Sequence, residues 1–225
     1  MEPVVIYGAG GLGAVAQDIL EQAGPYQPVA FLDSDRGKHG REYGGLPIWG
    51  GLEVAGELPN RGIKGVIVAI GDNATRVGLA ETLRAAGLQL VSAIHPLATI
   101  SRSAEIGEHV MIGPRATICV HARIGPHSVL SAGTIADHDN DIGRGVFLHP
   151  AVRLAGTVKV EDFAWIGIGA SVIPGRRVGR GARVQAGSVV IRDVAPDTTV
   201  GGVPATVLNG PGPRLSRWST PDQAV

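Results

Sequence analysis

From Ile94 onward one aliphatic position recurs every sixth residue: Ile94, Ile100, Ile106, Ile112, Ile118, Ile124, Leu130, Ala136, Ile142, Leu148, Leu154, Val160, Ile166, Val172, Val178, Val184 and Val190. Only Ala136 departs from Ile, Leu or Val. A strict short period marks a solenoid, and a period of six predicts a parallel β-helix. The residue two places before the aliphatic is mostly small, as at Ala98, Ala104, Ala116, Ala122, Ser128, Thr134, Ala164, Ala170, Ala182 and Ser188. Glycine often follows it directly, as at Gly107, Gly113, Gly125, Gly143, Gly167 and Gly179. Strands this short point one side chain firmly inward, and the flanking corner must be small or glycine if the chain is to turn tightly. Three hexads close a coil of eighteen residues, so the run makes between five and six coils. The coils stack at the strand spacing of about 4.8 Å.

Before Ile94 the pattern is different. Val4-Val5-Ile6-Tyr7 is an apolar run suited to a buried parallel strand, and it ends in Gly8-Ala9-Gly10-Gly11-Leu12-Gly13. Residues 14–21 are helix-compatible and Gly24-Pro25 stops them. Val29–Leu32 predicts a second strand ending at Asp33-Ser34-Asp35, and Leu46–Ile48 a small extended piece. Gly65–Ile70 predicts a third strand and residues 73–86 a helix, with Gly87 at its stop. Alternating strand and helix make this an α/β, Rossmann-like βαβ domain. The expected organisation is a first domain over 1–93, a β-helix over 94–209 and an irregular tail over 210–225.

Composition narrows the function. Twenty Lys+Arg balance twenty Asp+Glu, which argues against a nucleic-acid partner. Aromatics at 4% and 34 glycines suit narrow coils packed with small aliphatics. The single Cys119 excludes an intrachain disulfide and fits a packed thiol in a reducing compartment. A strand begins almost at Met1, so no secretory signal is expected, and no apolar run reaches membrane-span length. These features suit a cytoplasmic protein.

One corner of the solenoid breaks the rule of small neutral residues. Directly after Ala136 come Asp137-His138-Asp139, then Asn140-Asp141. A histidine beside carboxylates can be held in one tautomer, made more basic and used as a general base. The other histidines, His39, His95, His109, His121 and His127, have no ligand spacing, and no metal site is expected. His121 and His127, six apart, could stack at adjacent corners.

The hexad pattern, together with Gly202-Val203-Pro204-Ala205 after it, resembles the hexapeptide-repeat acyltransferases. That resemblance implies a left-handed β-helix and a homotrimer; the general crossover rule alone would favour the right-handed form. The whole layout is similar to bacterial sugar acetyltransferases of the sialic-acid O-acetyltransferase and nucleotide-4-amino-sugar N-acetyltransferase type. The matching elements are Gly8-Ala9-Gly10-Gly11-Leu12-Gly13, Ile70-Gly71-Asp72-Asn73 and His138-Asp139-Asn140-Asp141-Ile142-Gly143. The resemblance implies acetyl-CoA as co-substrate, His138 as base and Asp139 as its polarising carboxylate, with Asp137 competing for that role. Two positions depart from it. Leu12 stands where these enzymes carry a substrate-contacting histidine. Phe147 stands where they place a histidine against acetyl-CoA, with His149 two residues on as a coenzyme contact or a surface histidine.

Gly8-x-Gly10-x-x-Gly13 after a strand, followed by Asp33, matches the dinucleotide fingerprint. About ninety residues hold little more than one mononucleotide half, so a phosphate-and-sugar pocket is preferred over a nicotinamide site. In that pocket Gly10, Gly11, Leu12 and Gly13 present amides to a diphosphate. Asp33 and Asp35 take ribose or base, and Gly71, Asp72 and Asn73 line the same crevice. Coenzyme contacts are expected from Phe147, His149, Gly156 as oxyanion donor, Gly167, Lys159 and Arg177, with Arg176 and Arg180 also available. The expected reaction is acetyl transfer to the amine of a nucleotide-linked sugar. The alternatives are O-acetylation of sialic acid or a related sugar, and a nicotinamide- or metal-binding β-helix; the metal version needs His121, His127 and His149 to converge.

Overall fold

The computed structural model describes residues 1–208; the expected irregular tail lies outside them. The first part is a four-stranded parallel sheet. Its strands are β1 (Glu2–Tyr7), β2 (Tyr26–Leu32), β5 (Gly65–Val68) and β6 (Gln89–Leu90), in the order β2-β1-β5-β6. A small antiparallel hairpin, β3 (Glu42–Tyr43) with β4 (Leu46–Pro47), lies between β2 and β5 in the chain. Helix α1 (Gly11–Ala23) follows β1, and α2 (Asn73–Ala85) follows β5. Val4, Val5, Ile6, Phe31, Leu32, Val66 and Ile67 are all buried, which explains why these strands read as unbroken apolar runs. Helix α1 starts three residues earlier than its apolar pattern suggests, because Gly11 and Leu12 already lie in the first turn. It ends where Gly24 adopts the left-handed conformation, φ 91°, donating to the Leu20 carbonyl.

From Ala93–Ile94 to Val189–Val190 every hexad supplies one two-residue strand ending on its aliphatic position. Each strand pairs in parallel with the one eighteen residues away, so Ile112 faces Ile94 and Leu130, and Ile142 faces Ile124 and Val160. Three parallel sheets result. We number the prism faces by the strands ending at Ile94, Ile100 and Ile106. The first face is extended by Thr199–Gly202 and its antiparallel partner Ala205–Val207, with Val203 and Pro204 in the turn between them. The aliphatics and the small residues two places before them fill the lumen: Ala116, Ala122, Ser128, Thr134, Ala164 and Ala170 are 0% exposed.

The structure corrects the reason for the glycines. The left-handed turn falls three residues after the aliphatic, and non-glycine residues often occupy it. His109, Arg115, His121, His127, Asp139, Ala151, Thr157 and Phe163 all have φ between 53° and 61°. The glycine directly after the aliphatic answers a different demand, the close approach of the next coil. A Cβ on Gly125 would lie 2.5 Å from the Gly143 carbonyl carbon and 2.7 Å from Arg144 N.

The two parts are locked together by α2. Arg76, 1% exposed, donates from Nε to the His127 carbonyl and from its terminal nitrogens to the carbonyls of Ile70 and Gly145 and to Asn73 Oδ1. Burial lowers its pKa to about 10, against the opposing pull of Asp72, so it stays charged at neutral pH. Asn73 Nδ2 donates to the carbonyls of Phe163 and Ala164.

Replacing Gly125 by Ala should destabilise the protein by about 2 kcal/mol, because backbone rather than a flexible side chain must yield. Thermal unfolding of the variant checks this; an unchanged transition would mean the coils have slack at that corner.

Candidate functional site

His138 projects outward from the corner between the second and third faces, with its side chain 52% exposed. Its Nδ1 lies 2.8 Å from Asp139 Oδ2. Asp139 occupies the left-handed turn position, φ 57°, which turns its carboxylate back alongside the ring. The hydrogen bond to Asp139 is the main cause raising the His138 pKa, and the same bond lowers that of Asp139. Asp137 does different work: its Oδ1 accepts from the His138 backbone N–H at 2.7 Å. The geometry therefore pairs the ring with Asp139.

With Nδ1 committed to a carboxylate, neutral His138 carries its proton there and leaves Nε2 as the basic atom. The ring lies directly over Gly156, eighteen residues on; a Cβ there would sit 2.2 Å from Nε2. With the ring in this orientation a side chain at residue 156 would collide with the imidazole. In the hexad Gly156 holds the place that Pro96, Pro114, Pro126, Pro150 and Pro174 take in other coils. The coil needs no N–H at that place, so the Gly156 amide is not required for folding.

A second region forms where the first face meets the strand ends of the parallel sheet. A cleft of about 410 Å³ is lined by Leu12, Gly71, Asp72, Asn73 and Ala74 from the first part, and by Phe147, His149, Phe163, Trp165 and Arg183 from the solenoid. Phe147 and His149 stack at 4.2 Å between centroids, His149 leans on Trp165 at 4.4 Å, and Arg183 lies 5.0 Å over the Trp165 ring. Burial, with Arg183 nearby, lowers the His149 pKa to about 4, so the imidazole is neutral at physiological pH.

The expected site residues divide accordingly. Leu12, Gly71, Asp72, Asn73, Phe147 and His149 share the cleft, so two of the six residues expected beside the coenzyme share a wall with residues expected beside the sugar. Gly10 and Gly11 have open space where a side chain would be. Gly13 is structural: its Cβ would lie 2.0 Å from the Gly8 carbonyl oxygen. Asp33 is turned inward. Its carboxylate accepts from the N–H groups of Ala9 and Asp35 and pairs with Lys38 at 2.9 Å. Burial alone would raise its pKa, but these bonds hold it below the usual carboxylate range. The acidic residue of the dinucleotide fingerprint is thus already occupied, which weighs against ribose binding there. Asp35 caps a short turn by accepting from Gly37 N–H. Asp72 caps α2 through Thr75 N–H, and Asn73 spends its amide on the junction.

Gly167 lies at the corner between the first and second faces, away from His138, and its missing Cβ is explained by the next coil, 2.6 Å from Ala186 N. Lys159, Arg176, Arg177 and Arg180 face Asp141, Asp193, Glu161 and Asp162 respectively, in pairs that are exposed or partly exposed. Cys119 lies beside Asp137; burial first, and that carboxylate second, push its thiol pKa up, as befits an unreactive side chain. Sequence reasoning missed Phe163, Trp165, Arg183 and Ala74. Phe147, Trp165 and Arg183 fall eighteen apart on one column, so the coil length carried the signal for two of them.

The histidine pairing also differs from expectation. His121 and His127 do not stack, since six residues separate successive corners. The contacts run over eighteen: His121 Nδ1 lies 3.3 Å from Asp139 Oδ1, and His109 Nδ1 lies 3.0 Å from His127 Nδ1. His109 Nε2 accepts from Val68 N–H, so the neutral ring donates from Nδ1 to His127, whose Nε2 faces Glu81 at 3.3 Å. His121, His127 and His149 occupy three different corners, and His127 is 1% exposed. Among the described residues no group of His, Cys, Asp and Glu is arranged to hold a metal ion, and no helix is long and apolar enough to cross a membrane.

A Rossmann-like sheet joined to a hexapeptide solenoid places the chain in the β-helix class of folds. Residues 3–83 match the PglD N-terminal domain. The fold superposes with TM-score 0.89 on a histidine-to-alanine mutant of GDP-perosamine N-acetyltransferase from Caulobacter crescentus, in complex with CoA and GDP-perosamine. That chain is 36% identical, with 92% of this chain and 97% of that one covered. The acetyltransferase domain of PglB from Neisseria gonorrhoeae, in complex with acetyl coenzyme A, matches with TM-score 0.79 and 28% identity over 92% and 99% of the two chains. A serine acetyltransferase from Bacillus licheniformis is 38% identical over 93 residues, 38% of this chain and 43% of its own length; the chain thus spans less than half of that curated relative. The chain belongs to the hexapeptide-repeat sugar acetyltransferases, and its solenoid is their left-handed β-helix.

The buried histidine pair predicts acid sensitivity at the junction. Burial lowers the His109 pKa from 6.5 to about 3 and lowers that of His127 as well. A depressed histidine pKa means the unfolded chain takes up protons first. The stabilisation is complete above pH 6.5 and is lost as pH falls toward 3. Unfolding free energies measured across this window should fall steadily, and His109→Gln should flatten the slope; equal slopes in both proteins would contradict the neutral-pair assignment.

Proposed function

We propose that this protein is an acetyl-CoA-dependent N-acetyltransferase acting on the amino group of a nucleotide-linked sugar, with His138 as general base. The observation that carries the reading is the ring of His138, tied at Nδ1 to Asp139 and set with Nε2 over Gly156. The relatives supply the substrate class: the Caulobacter enzyme was crystallised with CoA and GDP-perosamine, and the Neisseria domain with acetyl coenzyme A. The open space at Gly10 and Gly11 and the flat apolar walls of the cleft holding Leu12, Gly71 and Trp165 suit such a substrate; the cleft lies on the first face, away from the His138 of the same copy, so the substrate would reach the His138 corner of a neighbouring copy.

In the reaction the sugar amine attacks the thioester carbonyl carbon and its proton passes to His138 Nε2. The carbonyl oxygen takes the developing negative charge and faces the Gly156 N–H. Collapse of the tetrahedral adduct breaks the carbon–sulfur bond. The departing CoA thiolate takes the proton back from the imidazolium, and the amide product and free thiol leave. Asp139 keeps the imidazole in the required tautomer and stabilises its transient charge.

The outer faces support the trimer. The first face lies against the parallel-sheet domain, Met111, Val129 and Phe147 sharing a core with Ile6 and Ile19. The third face presents Glu105, Arg123, Asp141, Lys159 and Arg177, a solvated charge ladder. The second presents Thr99, Thr117, Ile135, Arg153, Ser171 and Val189, flanked by exposed Val120, Ile173 and Ile191. Arg153 is its single charged residue, which suits it to contact with a second copy better than the charge ladder of the third face, and it borders the His138 corner.

Thiol release from acetyl-CoA with a panel of nucleotide-linked amino sugars tests the reading. One or more amines should support turnover, and their hydroxyl counterparts should not; release with none, despite coenzyme binding, would refute it. His138→Ala should lower kcat by about 10²–10⁴-fold with the fold intact. Ile135→Glu should yield smaller species by light scattering if the second face is the interface.

A further inference from the structure

Asp139 holds more than one histidine. Its Oδ2 is taken by His138 Nδ1 at 2.8 Å, and its Oδ1 faces His121 Nδ1 at 3.3 Å. His121 and Asp139 are eighteen residues apart and both occupy left-handed turns, φ 58° and 57°. That conformation projects the two side chains from the same corner on successive coils, so the contact follows from the coil register. The His121 backbone is itself anchored, its N–H lying 3.2 Å from Ser103 Oγ in the coil before, and Asp139 N–H donates to the Val120 carbonyl at 3.0 Å. The charged and titratable groups facing Asp139 are His138 and His121, and those facing His138 are Asp137 and Asp139.

We infer that His121 is a positioning residue for acetyl transfer: it donates to the second oxygen of Asp139 and so locks the carboxylate that orients the His138 base. The inference rests on the reading of His138 given above. An exposed aspartate bonded through one oxygen only can rotate about its side-chain torsions and release the imidazole; a second donor one coil away removes that freedom. The same eighteen-residue stacking joins His109 to His127 at another corner, where both rings are buried and serve the domain junction. At the exposed corner the stacked pair is a histidine and a carboxylate, and the carboxylate continues to the base. His121 touches no reacting atom in this arrangement, so its effect is on rate and on the pH profile rather than on substrate binding.

The test compares the full-length wild type with His121→Ala, His121→Asn and His138→Ala by thiol release, using the acceptor that gives turnover. His121→Ala should lower kcat about three- to tenfold, the scale of one ordinary hydrogen bond, with both KM values within twofold and an unchanged thermal transition. Its acidic limb of kcat should move to lower pH, because Asp139 raises the His138 pKa and a loosened carboxylate raises it less. His121→Asn, whose amide nitrogen can take the place of Nδ1, should recover most of the rate and the wild-type limb. A wild-type rate and limb in His121→Ala would overturn the inference, as would a loss that tracks a lowered thermal transition and is not rescued by asparagine. If those variants behave like wild type while His138→Ala is inactive, only the role of His121 fails. If His138→Ala retains full turnover, the general-base reading fails first.

Discussion

The lateral stacking of parallel coils at eighteen-residue intervals is the constraint on which everything else depends. Each two-residue strand is too short to be stable alone, and it gains hydrogen bonds only from the coils above and below. Once the aliphatic column is sealed in the lumen, no side chain can change its column without moving a core residue into water. The register therefore determines which outward groups meet. His138 meets Gly156, Asp139 meets His121, and Phe147, Trp165 and Arg183 line up on one wall. The chemistry of the corner is built from columns, not from neighbours in sequence.

The same rule explains where glycine is required and where it is not. After the aliphatic, glycine makes way for the next coil's backbone; beneath His138, Gly156 makes way for a ring. The left-handed turns, by contrast, tolerate histidine, arginine, aspartate and phenylalanine. Each such residue carries a conformational cost on the order of 1 kcal/mol, offset by a solenoid that leaves the turn no alternative. Placing Asp139 in that conformation folds its carboxylate back beside the preceding residue, which an extended backbone would not do.

Much of the architecture was legible in the chain because the period is unbroken. Seventeen aliphatic positions announced seventeen strands, and the apolar runs of the first part announced its parallel sheet. The unusual corner at 137–139 was equally plain, since charged groups replaced small ones. What stayed hidden were interactions set by space. The family resemblance favoured Asp139 over Asp137 as partner of the ring, but the residues alone did not carry the reason, which lies in the backbone φ of Asp139. Asn73, Gly13 and Asp33 read as ligand contacts yet serve the fold, through the junction with Phe163, the approach to Gly8 and the pairing with Lys38. Histidines separated by six looked like neighbours, whereas the coil length makes eighteen the contact distance.

In the proposed reaction the exposed imidazole of His138, with Asp139 behind it, receives the acceptor's proton. A crystal structure with CoA and a nucleotide-linked amino sugar bound together tests it most directly. The amine nitrogen is expected within hydrogen-bond reach of His138 Nε2, with the coenzyme sulfur at the same corner above Gly156. A complex in which the amine lies against a different face of the prism, with His138 free in solvent, would contradict it.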